Sequence, residues 1–275
     1  MTRYVSATSV EAIRRAGEIK LYDAEAFAGM RRAGQVSAAV LDALTDRVVP
    51  GVTTQALDDF AAEAIVAAGA VPANIGYRGY AHTSCISINQ VVCHGIPGER
   101  TLKEGDILNI DLTSIVDGWH GDTSRMYLVG DVALKARRLV DVTYDCLTLG
   151  IEQARPGNRL GDIGHAIQRH AEKHRYGVVR DFVGHGVGLV YHDTPDVPHY
   201  GKAGTGPELK PGMIFTIEPM INAGRADVKV LDDDWTAVTR DRSLSAQFEH
   251  SIGITDTGCE IFTTSPAGLH RPPYR

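Results

Sequence analysis

The sequence predicts an α+β domain in which one curved antiparallel sheet is covered by helices. Two observations carry that expectation. The order helix, Pro-Gly, helix, strand occurs twice: Pro50-Gly51 precedes Pro156-Gly157 by 106 residues, and GDILNID (105–111) precedes GMIFTIE (212–218) by 107. Asp117-Gly118, set between two strand-like runs, reads as a two-residue hairpin turn, because that pair tolerates positive φ. Helix pairs alternating with hairpins bury their apolar faces as helices laid over one sheet. The repeat is pseudo-twofold and sets Asp111 and Glu218 at equivalent places in the two halves.

The elements follow in chain order. Residues 1–23 read as an N-terminal arm with a short helix near 10–16. Phe27, Met30, Ala33, Val36, Val40 and Leu44 recur at three- and four-residue steps, an apolar helical stripe ended by Pro50-Gly51. Thr53 or Thr54 caps a second helix through Leu57, Phe60, Ala64, Ile65 and Ala68, closed by Gly69. A Gly- and Tyr-rich loop (74–82) leads to one strand over 85–93. A third helix carries Val140, Tyr144, Leu147 and Ile151. A fourth carries Leu160, Ile163, Ile167 and Ala171 and closes near Gly177. Residues 178–188 read as a strand running into a glycine-rich loop, and 189–212 as mostly loop. Strands are expected over 213–222, 248–255 and 260–264, with a frayed tail after 265.

The chain has 275 residues, 43% hydrophobic and 23% charged, with a net charge of −6. These values are ordinary for a globular protein, and nothing global suggests a nucleic-acid binder. The four cysteines, Cys85, Cys93, Cys146 and Cys259, form no CxxC pair, which fits a reducing cytosol rather than a zinc ribbon. The N-terminus has no apolar signal region, and no apolar run approaches the roughly 18 residues of a membrane span. A soluble, cytoplasmic protein is expected.

The hairpin turn sets a register. With Asp117 and Gly118 as the loop, Val116 faces Trp119, Asp111 faces Ser124 and Thr113 faces Asp122. Asp111 and Asp122 then share a face as diagonal neighbours, roughly 7–8 Å apart at the backbone. Carboxylates that close repel unless a cation sits between them; two solvated acids on an exposed face are the alternative. Glu218 lies in an otherwise apolar strand, where a charged side chain is seldom buried unless paired or metal-bound. His185 sits in GHGVG, His192 in YHDTP and Glu249 in AQFEHSI. Each alone reads as ordinary: a hydrogen-bonding His, a solvated Glu.

Several chemistries are excluded by what is missing. There is no HExxH, no GxSxG and no GxxxxGK[ST], and GHGVG is not GxGxxG. Cys93 beside His94 is poor evidence for a thiol nucleophile, because neighbours along a strand point to opposite faces.

Five motifs together resemble the methionine aminopeptidases of type I: ISINQVVCHGIP (86–97), NIDLTSIVDGWHGDTSRM (109–126), GHGVG with YH at 191–192, TIEPM (216–220) and DRSLSAQFEHSI (241–252). The resemblance covers about residues 24–264. It implies the pita-bread fold, with 24–264 as one catalytic domain, 1–23 as the arm and 265–275 as the tail. It implies removal of the initiator methionine from nascent chains whose second residue is small. Two divalent ions are implied, cobalt, manganese, iron or zinc. Their ligands would be Asp111, Asp122, His185, Glu218 and Glu249, with Asp122 and Glu249 bridging. The implied attack is by hydroxide, with Glu218 as general base and His192 and His94 engaging substrate and intermediate. Tyr77, Tyr80, Cys85, Tyr191 and Trp235 match the wall of the methionine pocket, whose aromatic and sulfur character suits a thioether.

Two positions depart from the pattern. Tyr191 stands where many bacterial members have Phe, and Asn74 where some have Cys; both place polar atoms near the pocket rim. Asn89, Val91 and Ser245 match a monovalent-cation site of some members. A monomer is expected, with ribosome contact, no membrane partner and no sequence-specific nucleic acid. Two other functions stay open. One is a proline-directed peptidase of the same fold, whose members usually carry an extra N-terminal domain. The other is a non-catalytic binding relative, which would be expected to lack ligands.

Overall fold

The computed structural model describes residues 2–9, 12 and 17–274; apart from Ala12, the helix expected near 10–16 lies outside the described residues. The four expected helices form: α1 (Ala24–Leu44), α2 (Thr54–Ala67), α3 (Leu134–Gln153) and α4 (Leu160–Lys173). Capping explains where the first two begin. The Asp23 side chain accepts from the backbone N–H groups of Glu25 and Ala26, and the Thr53 hydroxyl accepts from that of Ala56.

The strands are β1 (Tyr4–Ser6), β2 (Ile19–Leu21), β3 (Val71–Pro72), β4 (Ser84–Ile88), β5 (Val91–Cys93), β6 (Ile107–Val116), β7 (Trp119–Leu128), β8 (Gly177–Val178) and β9 (Gly184–Gly186). They continue as β10 (Asp193–Val197), β11 (Ile214–Ile217), β12 (Met220–Asn222), β13 (Val228–Val230), β14 (Ala237–Thr239), β15 (Ser245–Gln247), β16 (Glu249–Ile254) and β17 (Cys259–Ile261). The main sheet runs β10-β9-β11-β16-β7-β6-β3, with β4 also on β6 and β17 also on β16. Its middle is palindromic: β4-β6-β7 from one half meets β16-β11-β9 from the other. The repeat in the sequence is therefore a repeat in the sheet, with β6 and β11 in equivalent positions.

The period of two along these strands separates core from site. Leu108, Ile110 and Leu112 of β6 pack with Leu41 and Leu44 of α1 and Leu57 and Ile65 of α2. Phe215 and Ile217 of β11 pack with Leu139 and Leu147 of α3 and Ile163 and Ile167 of α4. The intervening residues, Asp111 and Thr113 in one half and Thr216 in the other, face the opposite side. Close approach fixes α1 on the hairpin. Ser37 Oγ donates to the Gly121 carbonyl at 2.6 Å and accepts from the Ser114 N–H at 3.0 Å. A Cβ at Gly121 would lie 2.2 Å from the Ala33 backbone.

Several local expectations are corrected. The strand over 85–93 is broken into β4 and β5 by Asn89, at φ 58°. The strand over 213–222 is broken into β11 and β12 around Glu218-Pro219, since proline has no N–H for a ladder. Helix α4 ends with His174 and a left-handed Arg175 (φ 62°), and Gly177 belongs to β8. Residues 193–197 form β10 within the expected loop, and the arm pairs β1 with β2 in parallel. The tail is not frayed at Tyr274, whose hydroxyl donates to the Met126 carbonyl at 2.7 Å over the Tyr127 ring.

Candidate metal centre and peptide pocket

The hairpin has the register read from the sequence. Asp117 (φ 51°) and Gly118 (φ 85°) both take the left-handed conformation of a two-residue turn. Val116 pairs with Trp119, Thr113 with Asp122 and Asp111 with Ser124. The ladder continues outward: Cys85 of β4 pairs with Asp111, and Glu249 of β16 pairs with Ser124. Directly opposed residues share a face, so Cys85, Asp111, Ser124 and Glu249 line one row, with Thr113 and Asp122 in the next. β11 brings Thr216 opposite Ser251, two residues beyond Glu249.

His185 enters from β9, its backbone N–H donating to Thr216 Oγ1 at 3.0 Å. Its Nδ1 lies 3.0 Å from the Gly186 carbonyl. Its Nε2 lies 3.5 Å from Asp122 Oδ2 and 3.6 Å from Glu218 Oε1. Ligand atoms of Asp122, His185 and Glu249 all lie within 4.8 Å of one another. Asp111 and Glu218 line the same cavity.

Four carboxyls in so dry a place resist ionisation. Burial raises the proton affinity of Asp111, Glu218 and Glu249 well above the usual carboxylate range, and the neighbouring Asp122 raises each further. Burial raises Asp122 as well, against the opposing pull of His185 and a Thr113 hydroxyl that donates to it at 2.6 Å. Such a cluster suits a cation. Four oxygen donors and one imidazole fit manganese, iron, cobalt or zinc.

Glu218 is held from three sides. Thr216 Oγ1 donates to its Oε1 at 2.7 Å, Gln247 Nε2 to its Oε2 at 3.3 Å, and its backbone N–H to His199 Nε2 at 3.0 Å. His199 is completely buried, and burial lowers its pKa to about 3, so it is a neutral acceptor. Sequence reasoning missed it: nothing in VPHYG ties it to Glu218, 19 residues away. Thr113 was legible as the residue facing Asp122. Asp58 of α2 was missed too; it accepts from the backbone N–H groups of Thr83 and Ser84 and so fastens the start of β4.

All these groups open into one cavity of about 780 Å³, also lined by His94, His192, Tyr77, Tyr80, Cys85, Tyr191 and Trp235. Its walls are rings: Tyr80 packs 4.8 Å from Trp235, Tyr77 4.9 Å from Tyr191, and His192 stacks 5.0 Å from Tyr77. Burial lowers the pKa of His192 to about 3, aided by His185, and burial lowers that of His94. Both are neutral near pH 7, each with one N–H to donate. His94 has φ 56°, which breaks strand alternation, so Cys93 and His94 both reach the cavity. Burial raises the Cys93 thiol well above its ordinary range, as an unreactive wall. Asn74 and Tyr191 both line the cavity, and their polar atoms are hydrogen-bonded within its wall. The Tyr191 hydroxyl donates to Asn74 Oδ1, and Asn74 Nδ2 donates to the Thr83 carbonyl at 3.0 Å. Away from the cavity, the Ser245 N–H donates to the Asn89 carbonyl at 2.8 Å, at the start of β5, where Val91 lies.

Comparison with known proteins agrees with this geometry. The chain is 57% identical over 257 residues to a methionine aminopeptidase of Rickettsia prowazekii, covering 93% of this chain and 99% of that one. The crystal structure of a methionine aminopeptidase from Rickettsia prowazekii superposes with a TM-score of 0.88, at 57% identity, over 89% of this chain and 99% of that chain. A prolidase from Pyrococcus horikoshii shares the fold at 19% identity, TM-score 0.71, over 88% of this chain and 63% of that chain. The architecture is the pita-bread fold. The model of metallopeptidase family M24 matches residues 28–256. The chain belongs to metallopeptidase family M24, whose hydrolases use divalent metal.

Proposed function

We propose that the chain removes the initiator methionine from peptides and nascent proteins whose second residue is small. The observation that carries this reading is the single cavity. It joins the Asp122–His185–Glu249 cluster to an aromatic and sulfur-lined wall, in a chain 57% identical to a methionine aminopeptidase.

Asp111, Asp122, His185, Glu218 and Glu249 would hold two divalent ions, with manganese, iron, cobalt and zinc all fitting the donors. The four carboxylates would balance two doubly charged cations, which would remove the repulsion described above. When bound, the metal acidifies water and polarises the scissile carbonyl. Glu218 takes the proton of the attacking water, fixed in place by Thr216, Gln247 and His199. Neutral His192 donates a hydrogen bond to the oxygen that becomes negative at the scissile carbon. His94, edge-on to Phe182 and Trp235, engages the peptide beyond the methionine. Tyr77, Tyr80, Cys85, Tyr191 and Trp235 receive the thioether on ring faces. Asn89, Val91 and Ser245 are assigned to a monovalent cation. Three buried free cysteines fit work in the cytoplasm. There the chain would act as a monomer on nascent chains at the ribosome; among the described residues no helix is long and apolar enough to cross a membrane.

The reading is tested with manganese-loaded protein and two peptides. Methionine should be released from Met-Ala-Ser and almost none from Met-Lys-Ser. Equal rates on both would overturn the specificity claim.

A further inference from the structure

Behind the Asp122 carboxylate runs a line of hydroxyl and amide groups that the proposed reaction does not use. Thr113 Oγ1 donates to Asp122 Oδ1 at 2.6 Å and lies 2.7 Å from the Tyr191 hydroxyl. That hydroxyl reaches Asn74 Oδ1. Asn74 is anchored by its amide to the Thr83 carbonyl at 3.0 Å. Asn74 and Thr113 are buried, and Tyr191 is packed between His120, at 5.3 Å, and Tyr77, at 4.9 Å.

Each hydroxyl carries one proton. An ionised Asp122 takes that of Thr113. The Thr113 oxygen then faces the phenol oxygen at 2.7 Å, a distance that needs a proton between them. Only Tyr191 can supply it, and its one proton lies between two acceptors, Thr113 Oγ1 and Asn74 Oδ1. The phenol oxygen therefore holds Thr113 Oγ1 in its place beside Asp122, and the contact with Asn74 Oδ1 places the phenol.

We infer that Tyr191 and Asn74 are positioning residues: through Thr113 they orient Asp122 for metal rather than tuning which side chain enters the pocket. The inference rests on the reading of Asp122 as a metal ligand. Partners that orient a ligand carboxylate or imidazole typically change metal affinity 10- to 100-fold when removed.

The test measures manganese affinity by titration calorimetry, without substrate, on the wild type and on Tyr191→Phe, Asn74→Cys, Tyr191→Phe/Asn74→Cys and Asp122→Asn. Tyr191→Phe should weaken manganese binding about 10-fold, lower kcat and leave KM for Met-Ala-Ser within about twofold. It should also lower the thermal midpoint, because it orphans the buried Asn74 oxygen. The double variant removes that orphan but leaves the Thr83 carbonyl without its amide donor, so its midpoint should recover in part while its affinity stays weakened. A purely structural pair would recover both, and a pocket-tuning pair would move KM and leave affinity alone; either result overturns the inference. If Tyr191→Phe fails to fold, Thr113→Val must show the same loss of affinity, and wild-type affinity there also overturns it. Asp122→Asn separates the two claims: wild-type binding by that variant would sink the metal-site reading itself.

Discussion

Replacing Glu249 by Gln should strengthen the metal-free protein and weaken the metal-loaded one. Glu249 is buried, 2% exposed, and pairs across the ladder with Ser124, one row from Asp122. Its ligand oxygen lies within 4.8 Å of one on Asp122. Two unit charges at that spacing, with an effective dielectric near 20, repel by about 3.5 kcal/mol. The carboxyls avoid part of this by keeping protons, so the figure is an upper bound. At about 2 °C per kcal/mol for a chain of this size, the gain is at most roughly 7 °C. The sign depends on pH. Folded-state pKa values of Asp111, Glu218 and Glu249 are raised, by burial first and then by Asp122. The folded metal-free chain thus binds more protons than the unfolded one. That stability is complete below the unfolded carboxylate range near pH 4 and is lost as pH rises through the raised values. Gln removes one of the charges, so the gain should be absent near pH 4 and grow toward pH 8. Thermal melts of chelated protein across that range measure it, and manganese titration should show weakened binding. A Glu249→Gln protein less stable than wild type at pH 8, or a gain independent of pH, would refute the reasoning.

Three further outcomes test the architecture. Gly121→Ala would drive a Cβ to 2.2 Å from the Ala33 backbone and separate α1 from the hairpin; overpacking of this kind costs about 1–3 kcal/mol, read by denaturant unfolding. Tyr274→Ala would empty the tail's place beside Tyr127 and lose its bond to Met126, for a cost of roughly 3 kcal/mol in the same assay. His199→Leu would leave the Glu218 N–H without its acceptor, costing about 1–3 kcal/mol and lowering kcat, whereas His199→Gln should restore much of both.

The parts of the fold that could be read in advance were those with local causes. The hairpin register followed from Asp117-Gly118 alone, because two residues at positive φ fix the pairing of every residue above them. The helices followed from apolar stripes and from threonine and proline-glycine punctuation. The failures were non-local. The kink at Glu218-Pro219 and the turn at Asn89 interrupt sequences that read as continuous strands. Tyr274 is held by β7 and Tyr127, which its own neighbourhood does not reveal. Among site residues, Asp111 and Asp122 were legible from the register and Glu218 from the repeat. His185 and Glu249 gained their place only through motif resemblance, since β9 and β16 reach the site by long-range pairing. His199 had no signal, and the bond between Asn74 and Tyr191 was missed because residues 117 positions apart gave no hint of it.

The central claim is that this carboxylate cluster holds the metal on which methionine release depends. The most direct measurement follows free methionine released from Met-Ala-Ser while chelated protein is titrated with manganese, with bound metal assayed on the same samples. Release should be absent without metal, rise with occupancy toward two ions per chain, and be lost in Glu218→Ala with weakened metal binding. Release at full rate from metal-free protein, or near-normal activity in Glu218→Ala, would contradict the account.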